Sequence, residues 1–128
     1  MSEINYIRKV DKTTGLISTI AGQGWNDSES VLASEAYLND VVSVAVSSDG
    51  TVYFVERSNG AVRKIHPTTT LISTFAGQYY AWGFSGDNGT ATSATLSTVV
   101  TSIYLHEPLD ALYIADTANH RVRAVDMP

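Results

Sequence analysis

Three observations predict an all-β chain built from tandem four-stranded antiparallel units. One segment recurs almost unchanged, short β-branched runs alternate with turn sequences, and no window of useful length shows helical periodicity. Residues 7–23 read IRKVDKTTGLISTIAGQ and residues 62–78 read VRKIHPTTTLISTFAGQ, 55 positions further on. A looser echo links LNDVVSVAVSSDGTVYFV at 38–55 to LSTVVTSIYLHEPLDALYIA at 96–115, and Val122-Arg123-Ala124-Val125-Asp126 is a third copy of the arginine-bearing run. From Arg63 to Arg123 the offset is 60, because the second copy carries longer loops. Loop insertions between constant strands are what a repeat array tolerates.

The elements follow in order. Segment 4–22 holds two strands, joined across Asp11-Lys12-Thr13-Thr14-Gly15. Residues 29–38, ESVLASEAYL, are the one stretch that could make a turn or two of helix inside a loop. The full unit spans about 41–77. VVSVAV at 41–46 meets the Ser47-Ser48-Asp49-Gly50 turn, and Asp-Gly between two β-branched runs is a hairpin signal. TVYFV at 51–55, AVRKI at 61–65 and LISTFA at 71–76 complete it, and three further strands fill 98–126. Four strands every 55 to 60 residues, joined by tight turns, is the pattern of a β-propeller blade. With the strands of a blade lettered A to D from inner to outer, the chain runs C-D, A-B-C-D, A-B-C.

Composition bounds the function. Apolar residues make 44% and charged residues 16% of the chain, enough to bury a core. A formal charge of −5 gives no electrostatic footprint for nucleic acid. There is no cysteine, hence no disulfide framework, thiolate metal site or thiol nucleophile. The N-terminal residues lack a basic region followed by an apolar one, and no apolar run approaches the length of a membrane span, so a cytoplasmic location without membrane contact is expected.

At 113–126, YIADTANHRVRAVD resembles the NHL repeat family, whose blade motif reads roughly Tyr-Val-Ala-Asp-Thr-Gly-Asn-His-Arg-Ile-Arg-Lys-Val-Asp. Thr14-Gly15-Leu16-Ile17-Ser18-Thr19-Ile20-Ala21-Gly22 and the loop Gly83-Phe84-Ser85-Gly86-Asp87-Asn88-Gly89 resemble two further family patterns. The middle repeat departs from the motif with Glu56-Arg57-Ser58-Asn59-Gly60, and GWNDSESVLAS at 24–34 lacks the Gly-Phe-Ser-Gly-Asp loop. The resemblance implies a six-bladed propeller serving as a scaffold for protein, RNA or glycan partners. A minority of relatives are metal-dependent lyases or hydrolases, and fold does not choose between these.

Nine strands are too few to close a ring, since a propeller needs at least four blades. The expected remedy is self-association, three chains making six blades, with a two-chain ring as the alternative. Three chains supply 27 strands where six blades need 24; the surplus is the duplicated C strand, at 6–10 and 121–125. The first function expected is therefore a non-enzymatic, homo-oligomeric interaction module. A propeller enzyme and a fragment without independent function are the alternatives. The inner strands 41–46 and 99–104 carry no convergent acid or histidine ligands, so no metal, cofactor or catalytic residue is expected from this stretch.

Strand alternation places the D–A loops 22–40 and 77–97 and the B–C turns 56–60 and 116–120 at one end. Trp25, Tyr79, Tyr80 and Trp82 in those loops are the candidate ligand-binding residues, suited to stacking on a sugar or anchoring a protein. Because large aromatics usually end mostly buried, the first expectation for Trp82 and Phe84 is that they plug the cleft between blades. Asp116 and His120 read as a structural pair closing a turn, and the recurring Arg8, Arg63 and Arg123 as structural ion pairs or a solvated outer strand. His66 replaces Asp11 and Asp126 in the C–D turn, on the opposite end, which argues against a histidine cluster around one metal.

Overall fold

The computed structural model describes residues 5–127, and they form an all-β chain of antiparallel sheets. Its strands are β1 (Ile7–Val10), β2 (Ile17–Ala21), β3 (Val31–Leu32), β4 (Val41–Val46), β5 (Val52–Glu56), β6 (Ala61–Ile65), β7 (Leu71–Gly77), β8 (Val100–His106), β9 (Ala111–Asp116) and β10 (Arg121–Asp126). β1 pairs with β2; β4, β5, β6 and β7 follow one another in a sheet that β3 extends beyond β7; and β8, β9 and β10 form a third sheet. The helical turn allowed at 29–38 is instead β3 followed by one 3-10 turn over Ala33–Glu35. Val31 and Leu32 are drawn into pairing with Ile72 and Leu71, which takes the start of the segment away from any helix.

The repetition reaches the backbone. Register shifts fall between Ile7 and Arg8 and between Val62 and Arg63, at the same place in the two copies of the repeated segment. They recur between Val41 and Ser43 and between Val100 and Ser102 at the start of the two longer repeats. Each shift bends its strand and raises the local twist. The connections are likewise shared. Asp11 accepts the N–H groups of Thr13 and Thr14, and Nδ1 of His66 accepts those of Thr68 and Thr69. The imidazole thus serves as the turn acceptor that a carboxylate supplies in the first copy. A 3-10 turn follows β5 and another follows β9, each closed by a left-handed residue, Gly60 and His120.

The sheets stack face to face, and β5 shows why. Successive side chains on a strand point to opposite faces. Phe54 packs on one side with Ile7, Ala21, Ala36, Leu38 and Ile72. Tyr53 and Val55 pack on the other with Leu96, Val100, Ile103, Leu112 and Ile114. Both faces of β5 are therefore core, and each fully buried large side chain contributes about 1.5–3 kcal/mol. At the inner edge β4 lies beside β8, where the Ser43 hydroxyl accepts the Ile103 N–H at 3.1 Å. The other side of β4 stays open, with Val42, Val44 and Val46 exposed.

Gly77 ends β7 at φ +83°, and a Cβ there would lie 2.3 Å from the Gly60 carbonyl oxygen. Gly15 has a similar φ of +72° but open space around it. Gly77→Ala is expected to cost at least 1–3 kcal/mol from the left-handed backbone, with the clash in addition. Gly15→Ala carries about 1–2 kcal/mol of backbone cost alone. Urea unfolding midpoints of the two variants check the order.

Candidate binding face

The loop end of the sheets is organised by two equivalent acid–arginine centres. Glu56, the last residue of β5, is fully buried and accepts an Nη1 hydrogen bond from Arg63 at 2.9 Å and the Asn39 N–H at 2.8 Å. Arg63 rises from β6, lies 4.2 Å beneath the Tyr79 ring, and reaches Glu29 at 3.5 Å. Glu29 in turn accepts from the Thr74 N–H and hydroxyl, tying the loop before β3 onto β7. In the next repeat Asp116 ends β9, is equally buried, and accepts the Ser97 N–H and the Asn119 side-chain amide, each at 2.9 Å. Arg123 lies 3.6 Å from Asp116, pairs with Asp87 at 2.8 Å, and donates to the carbonyls of Thr95 and Ser85.

The electrostatics follow from burial. Desolvation pushes the Glu56 carboxyl above the usual carboxylate range, while the Asn39 N–H and Arg63 pull it back. The Tyr79 phenol is pushed well up, first by burial and then by the neighbouring Glu56 charge. Asp40, at the rim, is held below its ordinary value by its hydrogen bond from Arg57. Of the recurring arginines, Arg63 and Arg123 thus form structural ion pairs, while Arg8 is exposed on β1, the solvated alternative. The acids that complete them were legible only as an Asp in one repeat and a Glu in the other, at the same place after the B strand.

The pairing expected between Asp116 and His120 takes a different form. Asn119 supplies the side chain that meets Asp116, and His120 contributes its backbone, donating its N–H to Thr117 from a left-handed conformation. Asn119 also donates to the Gly83 carbonyl, fastening the loop that carries the aromatics.

Of the four candidate ligand-binding residues, three stand in solvent and one does not. Trp25 is 76% exposed, its indole stacked nearly parallel to Tyr37 at 6.5 Å. Tyr80 and Trp82 are exposed as well. Tyr79 is half-buried as the lid over Arg63. The plug expected of Trp82 and Phe84 is absent: both are exposed, and Leu96 fills the space between the sheets instead. Phe84 lies under the guanidinium of Arg121 at 3.9 Å. The two aromatic loops are joined by one hydrogen bond, from the Tyr80 hydroxyl to Asp27 at 2.7 Å. Beside Trp25 a shallow depression of about 580 Å³ is rimmed by Gln23, Asn26, Asp27, Ser34 and Glu35. An exposed indole next to several hydrogen-bonding side chains can hold a ligand that is apolar on its faces and polar at its edges.

No protein-family model matches the chain. Over 134 aligned residues it is 29% identical to Protein SUPPRESSOR OF QUENCHING 1, chloroplastic, of Arabidopsis thaliana, covering 98% of this chain and 12% of that protein. Among solved structures it resembles a protein of unknown function from Bacteroides thetaiotaomicron, with a TM-score of 0.73, 24% identity, and coverage of 94% of this chain and 30% of that one. It also resembles an auxiliary nutrient binding protein from Bacteroides ovatus, with a TM-score of 0.68, 22% identity, and coverage of 93% and 31%. The two structural likenesses show a shared fold, and the chain spans less than a third of each of these three proteins. Among the described residues no helix is long and apolar enough to cross a membrane.

Removing the buried acid leaves Arg63 charged in the core with only the half-exposed Glu29, at 3.5 Å, as its counter-ion. Glu56→Gln is expected to cost about 3–5 kcal/mol, the range for breaking one half of a buried pair. Glu29→Gln, whose side chain is half exposed, is expected to cost within about 1 kcal/mol. Chemical denaturation of both variants checks the contrast.

Proposed function

We propose that the chain is a non-enzymatic β-propeller scaffold of the NHL-repeat kind. In this reading three copies associate into a six-bladed ring that displays the loops 22–40 and 77–97, with the turns 56–60 and 116–120, for binding. The observation that carries it is the equivalence of the two acid–arginine centres, which makes the second and third sheets successive copies of one unit. Both units pack on like neighbours: β5 and β6 of the middle sheet are buried on both faces, and among the described residues the third sheet has three strands. The similar solved chains are about three times as long, which fits three copies of this chain doing what one longer chain does there.

The ligand favoured on the loop face is a carbohydrate. The ring of Trp25, the exposed Tyr80 and Trp82, and the polar rim from Gln23 to Glu35 suit the alternating apolar faces and hydroxyl edges of a sugar. The nutrient-binding relative fits the same reading.

The test is native mass in solution, joined to a binding screen. Three chains of 13.8 kDa give about 41 kDa, and a folded single chain at 13.8 kDa would sink the ring. A soluble glycan retained by the parent chain should be lost at least tenfold by Trp25→Ala with the mass unchanged. Unaltered retention would move the ligand site elsewhere.

A further inference from the structure

We propose that the open edge of β10 receives β2 of a second copy of this chain, in the register that β7 already adopts on β6. The proposal rests on the self-association argued above and specifies which strands make the joint.

Beside β10 runs a groove of about 730 Å³. One wall is β10 from Arg121 to Asp126, the other is the loop from Gly86 to Ala91, and Phe75 and Ala76 line it as well. In the five-stranded sheet the corresponding space is filled: β7 lies between β6 and β3. The consequence is visible on equivalent residues. Val62 on β6 is fully buried, whereas Val122 on β10 is 73% exposed.

The chain itself contains a second strand that matches the occupant. β2 reads ISTIA and residues 72–76 of β7 read ISTFA. β6 and β7 pair Val62 with Ala76, Arg63 with Thr74, Lys64 with Ser73 and Ile65 with Ile72. Carried over to β10, Val122 meets Ala21, Arg123 meets Thr19, Ala124 meets Ser18 and Val125 meets Ile17. The polar groups match as well as the apolar ones. Glu29 touches Arg63 and accepts from the N–H and hydroxyl of Thr74. Asp87 already touches Arg123 and stands on the groove wall where Thr19 would arrive.

β2 is paired with β1 in the equivalent register, so one of β1 and β10 must give way. β10 pairs with β9 over six uninterrupted positions, and Arg123 is held by Asp87 and two backbone carbonyls. β1 is four residues long and pairs with β2 alone. β1 is therefore the strand displaced, and Val122 takes the place of Ile7 opposite Ala21. β2 keeps its seat against its own middle sheet, and the third sheet of one copy comes to rest beside the middle sheet of the next. Without β1, and leaving aside the two-residue β3 that adds to the edge of the middle sheet, each chain supplies eight strands, and three chains supply the 24 that six four-stranded units require.

The experiment is site-directed cross-linking in the full chain, which among its described residues has no cysteine to interfere. Ser18→Cys combined with Ala124→Cys is treated with a short bifunctional thiol reagent and run on a denaturing, non-reducing gel. Lys9→Cys combined with Ser18→Cys is the control, and native mass is measured on the unsubstituted chain. The expected result is that most Ser18/Ala124 protein migrates at two and three times the chain mass, while the Lys9/Ser18 pair gives little intrachain product. An assembled protein that fails to link Ser18 to Ala124, or that links Lys9 to Ser18 within one chain, overturns this joint and leaves self-association standing. A single-chain native mass removes both.

Discussion

A guanidinium in the core of a small β protein is tolerated only where an acid meets it, and the Arg63–Glu56 pair is the point from which the rest of this structure hangs. Its two members come from adjacent strands, so the pair fixes how β5 ends and β6 begins. Glu56 then gathers Asn39 from the loop before β4, and Arg63 gathers Tyr79 from the loop after β7 and Glu29 from the loop before β3. Two points of the loop 22–40 and the start of the loop 77–97 are thereby held by one buried ion pair. The desolvation that makes such a pair costly also makes it demanding, because every partner must be in place at once.

The same centre recurs around Arg123 with different parts, which shows what the arrangement requires. Glu becomes Asp at the end of the B strand, Glu29 becomes Asp87, and the aromatic cover passes from Tyr79 to Phe84. The shorter Asp116 stands 3.6 Å from its arginine where Glu56 stands at 2.9 Å, and Asn119 bridges to it from the turn. Two backbone carbonyls, of Thr95 and Ser85, take up the donors left over. Charge neutralisation is kept while the individual residues change, whereas the donors are better satisfied around Arg123, since the buried Arg63 Nε has no hydrogen-bond partner.

Most of the strand pattern was legible in the sequence because it rests on local signals. β-branched runs, the Ser47–Gly50 turn and the repeated segment each mark an element without help from the rest of the chain. The recurring arginines could be read as structural, since a repeat that keeps one residue keeps it for packing. What escaped were features decided by distant contacts. β3 forms only because β7 offers Val31 and Leu32 an edge to pair with. Trp82 and Phe84 read as interior plugs by size, yet Leu96 reaches the core first and the guanidinium of Arg121 gives Phe84 a surface seat. Asn119 in place of His120 was a matter of turn geometry: the left-handed position after the 3-10 turn directs the backbone of His120, not its ring, into the hydrogen-bonding role.

This division of labour separates the parts of each loop that must stay constant from those free to vary. Glu29, Tyr79 and Asp87 sit at loop positions that meet an arginine, and they hold their segments in place whatever lies between them. Trp25, Tyr80 and Trp82 sit at neighbouring positions without an arginine partner in the core, and Trp25 stacks on Tyr37 at the surface. The Tyr80–Asp27 hydrogen bond links two loops that Glu29 and Tyr79 already anchor at Arg63, so it can orient the aromatic surface without being required for folding. A binding face built in this way can change its exposed side chains at little cost to stability, because the charge that organises it is buried one layer below.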